Sequence, residues 1–241
     1  MPLLAPVQIR DRLIVALDVP NSRAASQLVQ QIGENAGIYK VGLQLFTAEG
    51  PSLVRDLVAS GHRIFLDLKL HDIPNTVAGA VKSALELGVS MLTVHASGGS
   101  EMLRAATEAA AGKVSVLAVT VLTSLSQADL QATGIGADLA EQAVRLALLA
   151  QGAAGCAGVV TSPREVRQVR QACGPGFIIV TPGVRPAGSV KDDQERISTP
   201  AQAIAAGASH IVVGRPITRA ENPAQAAQAV VAEMAETQLG G

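Results

Sequence analysis

Short β-branched runs alternate with longer stretches rich in Ala, Leu and Gln along the whole chain. Leu13 to Leu17, Ile38 to Val41, Ile64 to Leu68, Met91 to Val94, Val114 to Val119, Gly158 to Val160, Phe177 to Val180 and Ile211 to Val213 predict eight strands. The intervening stretches have helical length and helical punctuation. Ser162-Pro163-Arg164-Glu165 has capping-box spacing with proline at the first helical position, and predicts a helix ending near Cys173 and Gly174. Asn222-Pro223 predicts the start of the last helix in the same way. Gly61, Gly88, Gly112, Gly152 and Gly207 each follow a helical run, where a left-handed residue is wanted.

Strict strand–helix alternation implies parallel strands joined by crossover helices. Eight such units in 241 residues predict an α/β fold, a closed (β/α)8 TIM barrel, with residues 1–241 forming one domain. The rival is a doubly wound open sheet, which carries a Gly-rich turn after its first strand. Here that strand runs into Asp18-Val19-Pro20-Asn21, which favours the barrel.

Composition narrows the function classes. Hydrophobic residues make up 48% of the chain and charged residues 16%, which excludes disorder. No apolar run approaches the ~20 residues of a membrane helix. The start, MPLLAPVQIRDR, lacks the basic region and long apolar core of a signal peptide. A net charge of −1 and 2% aromatic residues give no electrostatic or stacking basis for nucleic-acid binding. Cys156 and Cys173, the two cysteines, form no metal spacing and no disulfide framework. A cytoplasmic protein is the expectation.

Chemistry in such barrels sits at the C-terminal strand ends. Those ends present Asp18, Lys40, the Asp67-Leu-Lys69-Leu-His71-Asp72 segment, His95, Thr120 to Ser124, Thr161, Arg185 and Gly214-Arg215. Asp67 and Lys69 are two apart and so project to one face, with Leu66, Leu68 and Leu70 on the other. Charges pointing into a barrel are costly unless paired, so Asp67, Lys69, Asp72 and Lys40 are read as an alternating acid–base array. A purely structural ion-pair network closing the barrel end is the bland alternative. Loops after the seventh and eighth strands frequently bind phosphate, and Arg185, Gln194, Gly214 and Arg215 suit that task. His62, after a helix-ending glycine, is expected at the surface, and His71 and His210, which adjoin strands without partners, at packing or surface positions. His95 reaches the active face, either as a hydrogen-bonding side chain or as a single-histidine metal ligand with Asp18 and Asp67.

The ten-residue segment from Asp67 to Thr76 resembles the signature of the orotidine 5′-monophosphate decarboxylases, in the free-standing bacterial form. Val15-Ala-Leu-Asp18, Lys40-Val-Gly42, Val119-Thr-Val-Leu-Thr123-Ser124, Thr181-Pro-Gly-Val-Arg185-Pro186 followed by Asp192-Asp-Gln194-x-Arg196, and Val212-Val-Gly214-Arg215-Pro-Ile217 resemble the family's other strand ends. The resemblance implies decarboxylation of orotidine 5′-monophosphate to uridine 5′-monophosphate, the last step of de novo pyrimidine synthesis, with no cofactor and no metal. It implies that Lys69 protonates pyrimidine C6 and that Asp67 sits beside the departing carboxylate. Asp72 and Thr76 would enter the partner's site across a homodimer. Lys40 and Asp18 would hold the ribose, and Thr123 the pyrimidine edge. Pro182 would lie near the ring, with Arg185, Gln194, Gly214 and Arg215 on the phosphate.

Elementary chemistry agrees with that reading. Loss of carbon dioxide from C6 leaves a vinyl carbanion that the ring carbonyls do not delocalise, and no lysine or thiamine motif for an electron-sink cofactor is evident. A fixed ammonium at Lys69 would stabilise the carbanion and then protonate it. Two rivals remain: a magnesium-dependent sugar-phosphate enzyme of the hexulose-phosphate synthase or ketogulonate-phosphate decarboxylase kind, which shares Asp-x-Lys-x-x-Asp, and a non-catalytic nucleotide-binding barrel.

Overall fold

The computed structural model describes residues 8–152, 154–186 and 198–236. Eight strands form a closed parallel barrel in sequence order: β1 (Leu13–Ala16), β2 (Ile38–Gly42), β3 (Ile64–Leu70), β4 (Met91–His95), β5 (Ser115–Val119), β6 (Gly158–Val160), β7 (Ile178–Thr181) and β8 (His210–Val213). β1 closes the ring on β8, with Val15 opposite Val213. All eight predicted strands are present. They were legible as apolar runs because parallel barrel strands are buried on both faces.

Alternation sorts the side chains into two layers. Ile14, Ile38, Phe65, Met91, Leu117, Val160, Val180 and Val212, one from each strand, fill the barrel interior. Leu13, Val15, Val41, Leu66, Leu92, Val94, Ile179 and Val213 point outward and pack with the helices. Each fully buried side chain of this size is worth about 1.5–3 kcal/mol.

The connecting helices are α1 (Ser22–Ile32), α2 (Leu43–Ala59), α3 (Pro74–Glu86), α4 (Gly99–Ala110), α5 (Gln127–Ala132), α6 (Leu139–Gly152), α7 (Val166–Cys173), α8 (Pro200–Ala205), α9 (Arg215–Thr218) and α10 (Pro223–Glu236). Asn222 caps α10 as expected, accepting from the Gln225 N–H at 3.1 Å. Residues 162–165 differ from expectation. They form a turn in which Ser162 Oγ accepts from the Arg164 N–H at 3.3 Å, and the helix begins only at Val166. Gly152 closes α6 without a positive φ; the left-handed residue is Gly155.

Candidate active site

β1, β2 and β3 deliver a chain of alternating charges to the C-terminal mouth. Lys40 Nζ lies 3.2 Å from Asp18 Oδ1 and 3.6 Å from Asp67 Oδ2. Lys69 Nζ lies 2.8 Å from Asp67 Oδ1. Side-chain exposure is 58% for Asp18, 11% for Lys40, 12% for Asp67 and 29% for Lys69, so the buried middle is flanked by more open ends. Two ammonium and two carboxylate groups balance, and this is what permits Lys40 and Asp67 to sit in the interior. Gly42 belongs to the same arrangement: a Cβ there would come within 2.9 Å of Lys40 Nζ.

The array differs from expectation in its fourth member. Within one chain Asp18 completes it, and Asp72 does not join. Asp72 is exposed in the loop after β3, where its Oδ1 accepts from the Ile73 N–H at 2.7 Å. Thr76, in the first turn of α3, is exposed too. β3 ends at Leu70, so Asp72 stands in the loop rather than on the strand face that Asp67 occupies.

β3 reaches Lys69 by an irregular path. Leu66 pairs with Leu92 and Leu70 with Val94, so four steps along β3 face two along β4. Lys69 has φ 52°, in the left-handed region that a side chain with Cβ rarely adopts. Its N–H donates to Thr93 Oγ1 at 2.9 Å, and the Thr93 hydroxyl donates to Asp67 Oδ1 at 3.0 Å. Burial alone would raise the Asp67 pKa. The charges of Lys40 and Lys69, with hydrogen bonds from Lys69 and Thr93, outweigh it and hold the carboxyl below its ordinary value.

Above this cluster the rings of His71 and His95 lie 5.4 Å apart, tilted by 37°. Neither has a histidine or cysteine companion evident from the sequence, and the fold of β3 beside β4 brings the two rings together. Burial, then the nearby His71 and Lys69, lower the His95 pKa against the opposing pull of Asp67. A metal site of His95 with Asp18 and Asp67 is not formed, because Lys40 stands between the two carboxylates. Among the described residues no group of three or more His, Cys, Asp or Glu side chains is gathered to hold a metal. His62 was expected at the surface, but it is half-buried and packs edge-on against Tyr39 at 5.4 Å. His210 is fully buried at the start of β8, and neither ring nitrogen has a hydrogen-bond partner.

A cavity of about 290 Å3 opens beside the array. Asp18, Lys40, Asp67 and Lys69 line it together with Thr123 after β5, Pro182 and Arg185 after β7, and Gly214 and Arg215 after β8. Phe65, Val119, Val160 and Val212 also line it, giving an apolar base. The Arg185 N–H donates to Ser198 O at 3.0 Å, within a short parallel bridge between Val184 and Ser198. Gln194 lies outside the described residues. Ser124 is exposed and is not among the lining residues. Thr93 is the residue that sequence reasoning missed; its two-residue step from Met91 on β4 was the available signal.

A closed barrel with a balanced charge array and arginine-bearing loop ends around one cavity defines a (β/α)8-barrel enzyme. Comparison with known proteins makes this specific. Residues 11–230 match the model of the Orotidine 5′-phosphate decarboxylase / HUMPS family, and the chain belongs to that family. It is 53% identical over 234 residues to the Orotidine 5′-phosphate decarboxylase of Moorella thermoacetica, covering 93% of this chain and 92% of that one. It is 54% identical over 222 residues to the enzyme of the same name from Anaeromyxobacter sp. strain K, covering 92% and 97%. Among solved structures, Orotidine 5′-phosphate decarboxylase from Lactobacillus acidophilus superposes with a TM-score of 0.83 at 38% identity, covering 92% and 98%.

Proposed function

We propose that the chain decarboxylates orotidine 5′-monophosphate to uridine 5′-monophosphate and carbon dioxide, in pyrimidine biosynthesis, with Lys69 as proton donor. One observation carries the assignment of Lys69: its ammonium is paired to Asp67 at 2.8 Å on the wall of the cavity. The C6–carboxylate bond breaks and its electron pair stays on C6. Lys69 stabilises that charge and then gives C6 its proton. Asp67 keeps the ammonium in position beside the leaving carboxylate. Asp18 and Lys40 hold ribose hydroxyls, and Thr123 the pyrimidine edge. Arg185, Gly214 and Arg215 take the phosphate, together with Gln194. Phosphate binding far from C6 supplies energy for positioning the reacting end.

The working unit in this reading is a homodimer with shared sites, Asp72 and Thr76 reaching the partner's cavity. The exposed segment from His71 to Thr76 supports it. Ile73 beside Asp72 is 66% exposed, an uncovered apolar side chain suited to a subunit contact. The reading also puts the enzyme in the cytoplasm. No helix among the described residues is long and apolar enough to cross a membrane.

The test is the loss of orotidine-monophosphate absorbance with purified, EDTA-treated protein, alongside Lys69→Ala. Full activity in EDTA and a fall of at least 10⁴-fold in Lys69→Ala, about 5.5 kcal/mol of transition-state stabilisation, are expected. No turnover of orotidine monophosphate, with magnesium-dependent turnover of a sugar phosphate instead, would point to the sugar-phosphate rival. A variant keeping more than about a tenth of wild-type kcat would remove Lys69 from its role.

A further inference from the structure

Thr93 is a fully buried polar side chain with a single hydroxyl, and both hydrogen-bonding capacities of that hydroxyl go to the charged array. It accepts from the Lys69 main chain at 2.9 Å and donates to Asp67 Oδ1 at 3.0 Å. These two residues also meet through their own side chains at 2.8 Å. The hydroxyl therefore closes a small ring: Lys69 N to Thr93, Thr93 to Asp67, Asp67 to Lys69 Nζ.

Its position explains why it is needed. The extra length of β3 between Leu66 and Leu70 is taken up opposite Thr93, and Lys69 adopts φ 52° there. That turn takes the Lys69 N–H out of the ladder, and a buried N–H without an acceptor is costly. A left-handed conformation at a residue with Cβ persists only where its surroundings hold it. Thr93 Oγ1 is the acceptor that holds this one. A valine would have the same shape and no acceptor.

We propose that Thr93 is a positioning residue for catalysis: its hydroxyl sets the direction of the Lys69 side chain by pinning the strained Lys69 backbone and the Asp67 carboxylate together. This rests on the proposed roles of Lys69 and Asp67. Thr93 itself is not among the residues lining the cavity. Its effect passes through the geometry of the other two.

Three variants test it: Thr93→Val, Thr93→Ser and Val94→Ala. Val94 is the next residue on β4, fully buried on the outward face and away from the array. Steady-state kinetics and thermal unfolding are measured for each with orotidine monophosphate. Misplacing a reacting group by about 1 Å costs about 10²-fold, so Thr93→Val should lose roughly 10–100-fold in kcat. KM should move less than about threefold, because remote contacts fix substrate binding. Thr93→Ser should recover most of the loss. Val94→Ala should lower the unfolding temperature and leave kcat within about twofold.

The pH profile gives a second readout. Asp67 faces Lys69 on its own strand, Lys40 on β2 and His95 on β4, and Asp18 reaches it through Lys40. Removing the Thr93 hydrogen bond takes away one interaction that favours the carboxylate. The acid limb of the kcat profile should therefore move to higher pH in Thr93→Val and stay in place in Thr93→Ser. Wild-type kcat and an unmoved acid limb in folded Thr93→Val would overturn the proposal. So would Thr93→Ser as slow as Thr93→Val, or Val94→Ala slowed as much for the same loss of stability. If Thr93→Val does not fold, Thr93→Ser decides: near-wild-type kcat with an unmoved acid limb supports the role, and a tenfold loss overturns it. Wild-type enzyme inactive on orotidine monophosphate, or full activity in Lys69→Ala, would instead refute the functional reading beneath it.

Discussion

His210 tests how the barrel handles an ionisable group that has lost both water and partners. It begins β8, shares a strand face with interior Val212, and has no solvent exposure. Burial, with the positive charges of Arg63 and Arg12 outweighing the Asp11 carboxylate, pushes its pKa from 6.5 down to about 4. The folded value lies below the unfolded one, so between them the unfolded chain binds the extra proton. This contribution to stability is complete above about pH 6.5 and is lost as pH falls towards 4. The gap between 6.5 and about 4 corresponds to about 3 kcal/mol, of which about 2 kcal/mol is gone by pH 5.

His210→Leu removes the titration. It also removes two nitrogens that have no partners, so an apolar side chain of similar size should cost little near neutral pH. Urea unfolding at fixed protomer concentration, at about pH 7.5 and about pH 5, reads the difference. Wild type should lose about 2 kcal/mol more than His210→Leu between those two conditions. Curves that stay parallel to within about 0.5 kcal/mol would refute the reasoning. They would mean that the imidazole already carries its proton in the fold, or meets a compensating acid that the structure does not bring to it.

Two further predictions concern the active face. Arg215→Ala should reduce kcat/KM for the phosphorylated substrate by roughly 10–150-fold, the worth of a charge-assisted bond, and leave the poor turnover of the phosphate-free nucleoside nearly unchanged. Equal losses on both substrates would make Arg215 a structural residue. If the sites are shared across a dimer as proposed, mixing inactive Asp72→Ala with inactive Lys69→Ala should restore activity, because one site of each mixed dimer then receives both lesions and the other neither. With random exchange about a quarter of all sites should be intact, and exchange without recovery would show that Asp72 acts within its own chain.

The sequence was legible where one rule governs each position. Eight apolar runs became eight strands because every barrel strand is buried on both faces. Asp67 and Lys69 were legible as partners through their two-residue spacing. The backbone reaches that result differently, through a left-handed Lys69 in a widened stretch of β3 rather than a regular strand. Features that depend on two distant segments stayed hidden. The meeting of His71 with His95 needs the register of β3 on β4. The choice of Asp18 over Asp72 as fourth charge depends on where a loop leaves the barrel. The turn at 162–165 has the residues of a capping box, yet local sequence does not settle whether helix begins inside it or after it.

The two barrel ends show what polar burial serves. At the N-terminal end a single histidine loses its charge, since it is buried and Arg63 and Arg12 outweigh the Asp11 carboxylate near it. At the C-terminal end Lys40 and Asp67 are buried and held in a balanced set with Asp18 and Lys69. A well-packed apolar layer would be at least as stable as buried ion pairs, so stability alone does not account for the array. Asp67 instead receives two cations and a hydroxyl, which keep it ionised and fixed in place. Its Oδ1 is 2.8 Å from Lys69, the more exposed of the two ammonium groups that line the cavity. Lys69 also carries the strained backbone, and Thr93 supplies the restraint. Burial, charge balance and strain converge on the placement of one nitrogen, which is what the proposed reaction needs, since no delocalisation would spread the charge it leaves on carbon.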